Sequence, residues 1–178
     1  MASFVDRVVG AARLDAKVYE EVEADTTAMS QAMAVVAAAA AAGGVGSIGS
    51  GAVTAVGVMI AGFVGWFVWA LLTWLIGTKV LPEPGTSADL GQLLRTIGFS
   101  AAPGMLNVLG VIPVLGLIVA LVAAVWQLAA MVVAVRQALD YRSTGRAVLV
   151  CFIGWIVYLA ISIGITLVMG LGSAMLGV

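Results

Sequence analysis

At 178 residues, 63% apolar and only 10% charged, with a mean hydropathy of +1.18, the chain lies far from soluble domains, which run near half apolar and about a quarter charged. Its net charge of −1 lacks the basic stripe that nucleic acid requires. With no histidine the commonest general base and metal ligand is absent, and a single cysteine, Cys151, excludes an internal disulfide.

The first 25 residues are mixed in charge and lack the apolar core of a cleavable signal peptide. Residues 2–23 pattern as an amphipathic helix on the membrane surface: Phe4, Val5, Val8, Val9, Ala12, Ala16, Tyr19 and Val22 recur at helical spacing, with Asp6, Arg7, Arg13, Lys17 and Glu20 elsewhere. Leu14 falls off that stripe and Asp15 on it, which allows a break near these two. Such a helix either leads into the first span or binds lipid or a partner.

An alanine-rich first span is expected over 27–46, ending in a glycine and serine run that suits a tight turn. The second, over 53–78, is long and gathers Trp66, Phe67, Trp69 and Trp74 in one half; Trp74 fits an aromatic belt beside Lys79. Gly57, Ala61 and Gly65 form a small-residue ridge, which serves either packing inside the bundle or association with a second chain. Pro82-Glu83-Pro84-Gly85 marks a turn, and Thr86 with Asp89 resembles a capping box. A third span then runs over 90–109, with Arg95 snorkelling to headgroups and Pro103 interrupting the helix; Ser100 or a neighbouring helix would satisfy the freed carbonyl. After a turn at Gly110–Pro113 the fourth span covers 114–135, and its helix continues so that Arg136 and Asp140 can pair. Ser143 or Thr144 caps a fifth span, 146–169, followed by the glycine-rich tail Gly170–Val178.

Residues 26–78, 96–135 and 147–178 contain no charge at all. A bilayer core needs about 20 apolar residues per helix, so these stretches hold two, two and one spans. Five crossings place all eight basic residues on one side, which the positive-inside rule makes cytoplasmic. The fold expected is all-α: a polytopic membrane bundle of five transmembrane helices (27–178) behind a cytoplasmic N-terminal amphipathic and acidic segment (1–26), with the carboxyl terminus outside.

Ionisable side chains at membrane depth, which mark ion and proton pathways, are missing. The polar residues there are neutral: Thr73, Ser100, Gln127, Ser162 and Thr166. Gln127 suits a hydrogen bond between helices or a substrate contact. No catalytic residue, cofactor-binding residue or metal ligand is proposed, and no cofactor is expected. The one dense ionisable cluster is Tyr19, Glu20, Glu21, Glu23 and Asp25, either a solvated helix end or a protein contact. Helix packing is assigned to Gly57, Ala61, Gly65, Pro103 and Gln127.

Three stretches carry a family resemblance: the acidic DAKVYEEVEAD before the first span, LLRTIGFSAAPGMLNVLGVIP with Gly98-Phe99, Pro103 and Pro113, and VAVRQALDYRSTGRAVLVCFIGWIV leading into the fifth span. Together they resemble the Yip-domain family, five-span membrane proteins first known as partners of Ypt/Rab GTPases, and the last stretch resembles prokaryotic members. Eukaryotic relatives carry an Asp-Leu-Tyr-Gly-Pro-like element where this chain has Lys17-Val18-Tyr19-Glu20-Glu21. The resemblance implies a cytoplasmic amino terminus and a role in membrane organisation, not catalysis; the compact, loop-poor chain suits a prokaryotic inner membrane. The expected function is a non-enzymatic protein that organises membrane or recruits a partner through its cytoplasmic face. The alternatives are an accessory subunit of a larger membrane complex, or a small-solute channel or transporter. Membrane lipid and a protein are the expected partners, with homo- or hetero-oligomers open.

Overall fold

The computed structural model describes residues 2–112 and 114–176, with side chains as far as Gly164 apart from Ser162. Pro113, Val178 and the side chains of Ser162 and Thr166 lie outside the described residues. The chain is 84% helix, in the order α1 (Phe4–Ala12), α2 (Ala16–Ala24), α3 (Met29–Gly46), α4 (Ala52–Leu75), α5 (Leu90–Ser100), a 3-10 helix (Ala102–Val111), α6 (Gly116–Ala138) and α7 (Thr144–Leu176). Among the described residues, four stretches are long and apolar enough to cross a membrane: Thr26–Gly46, Ala52–Val80, Gly116–Ala138 and Thr144–Ile161.

The expected third span, 90–109, is not one continuous α-helix. Pro103 sits in the first turn of the 3-10 helix, where its missing N–H and fixed φ stop the α pattern and Gly104 N–H instead bonds Ala101 O at 2.8 Å. The Ser100 hydroxyl bonds Ile97 O at 2.8 Å, within its own turn. At about 1.5 Å per α residue and about 2.0 Å per 3-10 residue, α5 and the 3-10 helix together reach roughly 36 Å.

This broken rod runs beside α3 and in the same direction. A Cβ placed on Gly98 would lie 2.8 Å from Ala32, one on Gly104 would lie 3.4 Å from Ala39, and one on Gly110 would lie 3.2 Å from Gly46. Beyond Met33, α3 carries nothing larger than valine, so the two backbones approach closely. The core is correspondingly fine-grained, with Ala32, Ala70, Ala130, Ala134 and Ala147 fully buried. Large apolar side chains instead point outward, as at Val53, Val114, Leu117 and Val125, the pattern of a bundle whose solvent is lipid.

The N-terminal segment is broken near Leu14–Asp15, where the pattern over 2–23 allowed it, and is not one continuous surface helix. It is a helical hairpin, turned at Leu14, whose φ is 64°. It lies against the bundle: Ala11, Tyr19 and Val22 are fully buried, and Trp126 Nε1 on α6 donates to Ala12 O at 2.6 Å. The apolar stripe therefore meets helices α5 and α6 as well as any lipid.

One cap differs from expectation, and the start of the last helix agrees with it. Asp89 itself caps α5, accepting from Gln92 N–H at 2.8 Å while Gln92 accepts from Asp89 N–H; Thr86 accepts from Glu83 N–H instead. α7 begins at Thr144, directly after Ser143, and continues beyond the expected Met169 to Leu176. Gly51 (φ 105°) and Gly85 (φ 107°) take left-handed turn positions that disfavour any side chain. Gly98→Val should force α5 away from Ala32 and lower stability by about 1–3 kcal/mol. Gly57→Ala, whose Cβ would meet nothing within 4 Å, should leave the thermal midpoint in detergent unchanged or higher.

Candidate functional site

Most of the chain's charge collects at one end of the bundle, where α1, α2, α5, the turn after α4 and the α6–α7 turn meet. The hairpin is held there by Arg7, 2% exposed. Its guanidinium donates to Glu21 Oε1 at 3.2 and 2.8 Å, to Asp25 Oδ2 at 2.8 Å and to Gln31 Oε1 at 3.0 Å. A buried cation needs this saturation, because an unpaired charge out of water is costly. Arg7 in turn holds the Glu21 carboxyl below its usual range. Asp25 is lowered first by the Thr27 hydroxyl and then by Arg7. Tyr19, with no exposed surface, closes the hairpin by donating to Ala11 O at 3.0 Å.

The second tie is Arg95. The last carbonyls of a helix have no partner within it, and Arg95 donates to two of those of α2: Val22 O at 3.0 Å, and Glu23 O. Arg95 is 6% exposed, so it does not snorkel to headgroups as expected; the carbonyls of α2 take that place. Gln92 Nε2 donates to Glu23 Oε1 at 2.9 Å, and Gln137 Nε2 donates to Glu20 Oε1 at 2.7 Å.

The acidic segment is thus turned largely inward. Tyr19 is sealed in the core, Glu21 and Asp25 hold Arg7, and Glu23 is half-buried against Gln92; Glu20 is exposed at the rim. Glu23 faces Asp140, Glu20 and Asp89, and burial together with Asp140 pushes its carboxyl up to about 7 against the opposing pull of Arg95. Among the described residues no group of His, Cys, Asp and Glu is arranged to hold a metal ion.

The expected Arg136–Asp140 pair does not form. α6 ends at Ala138 and Asp140 takes a left-handed φ of 53°, while Arg136 turns to Tyr141 O at 3.3 Å and Thr144 Oγ1 at 3.2 Å. The turns are joined by Tyr141, whose hydroxyl donates to Gly77 O and Leu81 O at 3.1 and 2.7 Å, and by Arg146–Glu83 at 3.4 Å. The sequence reading missed Arg7, Gln92, Arg95 and Tyr141 as organising residues. Their partners lie far along the chain, beyond the reach of local pattern.

The helix-packing candidates divide. Pro103 is buried where the helix type changes. Gly57 and Gly65 would each meet nothing within 4 Å if given a Cβ, so the ridge contacts no other helix closely; the tight approaches are made by Gly44 of α3 against α4 and by Gly98 of α5 against α3. Ala61, Gly65 and Gln127 border a cavity of about 400 Å³ between α3, α4, the 3-10 helix, α6 and α7. Gln127 lies with Oε1 against Gly104, with no hydrogen bond from its side chain to a described residue. Thr73 does not border the cavity; its hydroxyl bonds Trp69 O and Ala70 O on its own helix.

These features define a polytopic helical membrane protein with its charge gathered into an intramolecular cap. The family model for the Yip1 domain matches residues 21–165, and the chain belongs to the Yip1 family. No curated protein and no solved structure matches it.

Glu23 makes the cap sensitive to pH. Its carboxyl binds a proton more tightly folded than unfolded, so its stabilising contribution is full below about 4.5 and is lost as pH rises through about 7. Thermal unfolding in detergent should show a midpoint that falls between pH 6 and pH 8, and Glu23→Gln should abolish most of that fall. An equal fall in the variant would show that Glu23 is not its source.

Proposed function

We propose that this Yip1-family protein crosses the membrane five times, with its charged cap on the cytoplasmic side, and acts without catalysis to organise membrane or recruit a partner at that face. The observation that carries this reading is the placement of charge. Every Lys and Arg lies on the α1–α2 hairpin, in the first turns of α5 or α7, in the last turn of α6, or in the segments joining α4 to α5 and α6 to α7, and the opposite turns carry none. The fifth crossing is supported by the parallel course of α3 and the α5/3-10 rod, whose combined length of roughly 36 Å exceeds a hydrocarbon core of about 30 Å. A chain that starts beside the foot of α3 and ends beside Gly46 has passed from one end of the bundle to the other.

The contact surface favoured by this geometry is the acidic rim of Glu20, Asp89 and Asp140 around Glu23, not the whole segment from Tyr19 to Asp25. Glu20, Asp89 and Asp140 are exposed, and together they present one negative patch from three separate elements to a basic partner. A second reading, an accessory subunit of a larger membrane complex or a homo-oligomer, is favoured by the open Gly57/Ala61/Gly65 ridge. Recovery of a fixed stoichiometric membrane partner in mild detergent would select it.

Single cysteines in a Cys151→Ala background test the topology. Those at Ser50 and Val114 should react with an impermeant reagent added to intact cells, while those at Thr86 and Ser143 should not. Protection at Val114 with labelling at Ser143 would remove the third crossing. Separately, Glu20→Gln combined with Asp140→Asn should weaken recovery of a cytoplasmic partner without changing membrane insertion, and the remaining binding should fall with salt. Unchanged recovery would return the rim to a purely structural role.

A further inference from the structure

The cavity at the centre of the bundle has a definite physical origin. α7 packs against the bundle through Ala147, Val150 and Cys151, all buried, and a Cβ placed on Gly154 would lie 3.7 Å from the Trp69 ring. Beyond it, from Trp155 onward, most described side chains are exposed. Tyr158 still meets the Trp69 ring edge-on, with centroids 6.2 Å apart, so α7 stays beside α4 across a cleft that Gly62 and Gly65 on α4 have no side chain to fill. The volume of about 400 Å³ falls within the range of small-molecule sites.

Its lining contains no Asp, Glu, Lys or Arg. A charged ligand at this depth would have no counter-charge, at a cost of several kcal/mol. The walls are apolar and aromatic, with Trp66, Trp69, Trp155 and Tyr158 in the lining, and two carboxamides, Asn107 and Gln127, line the same space. Hydrogen-bond accounting separates these groups. Trp66 Nε1 is used, donating to Leu94 O at 3.0 Å. Among the described residues, the buried Trp69 Nε1 has no acceptor, and neither carboxamide side chain makes a hydrogen bond. Polar groups unsatisfied at membrane depth are expensive and call for a partner. An acyl chain would fill the volume and leave every one of them unsatisfied.

The cavity also continues. A smaller pocket of about 290 Å³ shares Gly43, Val58 and Asn107 with it and extends to Gly46, Ser47 and Gly116. From Val36 to Ser47 this path follows α3 for about 16 Å at about 1.5 Å per residue, close to half the thickness of a hydrocarbon core of about 30 Å.

We propose that this cavity binds a neutral, flat-ringed, membrane-dissolved molecule of the quinone class, with its ring carbonyl oxygens taken by the Gln127 and Asn107 amides. Its apolar tail lies along α3 toward Ser47. The ring is flanked by the aromatic side chains, and the site opens sideways to lipid between α4 and α7. This site does not depend on the number of crossings or on the acidic rim.

The test uses the full chain purified in detergent, with decylubiquinone as the probe and quenching of tryptophan fluorescence as the reading. Wild type should show saturable quenching. Gly65→Leu, which places a side chain in the cleft where a Cβ meets nothing within 4 Å, should abolish it, while Gly57→Leu, outside the lining, should bind as wild type does. Gln127→Leu should bind about tenfold more weakly, the equivalent of about 1.4 kcal/mol. Quenching by a brominated phospholipid, which has no ring carbonyl, should be indifferent to Gln127→Leu. Thermal midpoints confirm that each variant is folded, and if Gly65→Leu is not, Gln127→Leu decides alone. Quenching that rises linearly without saturation, or equal affinity in wild type and Gln127→Leu, would overturn the proposal.

Discussion

Everything else in this bundle rests on how closely α3 and the α5/3-10 rod approach one another. In a membrane the hydrophobic effect gives little reason for helices to associate, so packing at short range and internal hydrogen bonds must hold them. α3 meets that constraint with a face of alanine, valine and glycine. Gly98, Gly104 and Gly110 settle on it in succession from one end to the other. The change from α to 3-10 geometry at Pro103 is compatible with this contact, because a slimmer helix with glycine at its closest points brings its backbone nearer. The remaining helices pack onto this pair, and many of the large apolar side chains that would core a soluble domain are left facing outward.

The charged end follows a different logic. There the chain must bury Arg7 and Arg95, and each guanidinium donates to groups of another element. The acidic segment supplies the counter-charge for one of them and its helix terminus satisfies the other. A run of acids that reads as an exposed recognition motif is in large part a clamp that fastens the hairpin to α5 and α6. What stays available outside is a rim assembled from α2, α5 and the end of α6. Membrane recruitment through this face would then depend on the hairpin being docked, since undocking α2 would separate Glu20 from Asp89 and Asp140.

The two ends of the bundle differ in how completely they satisfy their polar groups. At the charged end most of the buried donors find acceptors within the chain. Around the central cavity, among the described residues, the carboxamides of Asn107 and Gln127 and the indole of Trp69 do not. That asymmetry is why the cavity, and not the cap, points to a small ligand, and why Ala61 and Gly65 on α4 are better understood as part of a cavity wall than as an internal packing seam.

The sequence by itself determined that the chain is a helical membrane protein, where four of its apolar stretches lie, and that its charge is one-sided. These follow from composition along a line, because twenty uncharged residues are apolar whatever their neighbours. It also marked the break at Leu14–Asp15, the interruption at Pro103 and the turn at Pro82–Gly85, where local backbone preference acts without tertiary help. Only the tertiary structure decided that Arg95 seals the end of α2 and that Tyr19 is buried. It likewise decided that Asp140 turns away from Arg136, and that Gly65 borders a cavity while Gly98 makes the close contact. Arg95 and Glu23 are joined across α2 and α5, far apart in the chain, and Gly57, Gly65 and Gly98 are identical as letters. Which of them meets another helix depends on how the rods are arranged, and spacing along one helix carries no record of that.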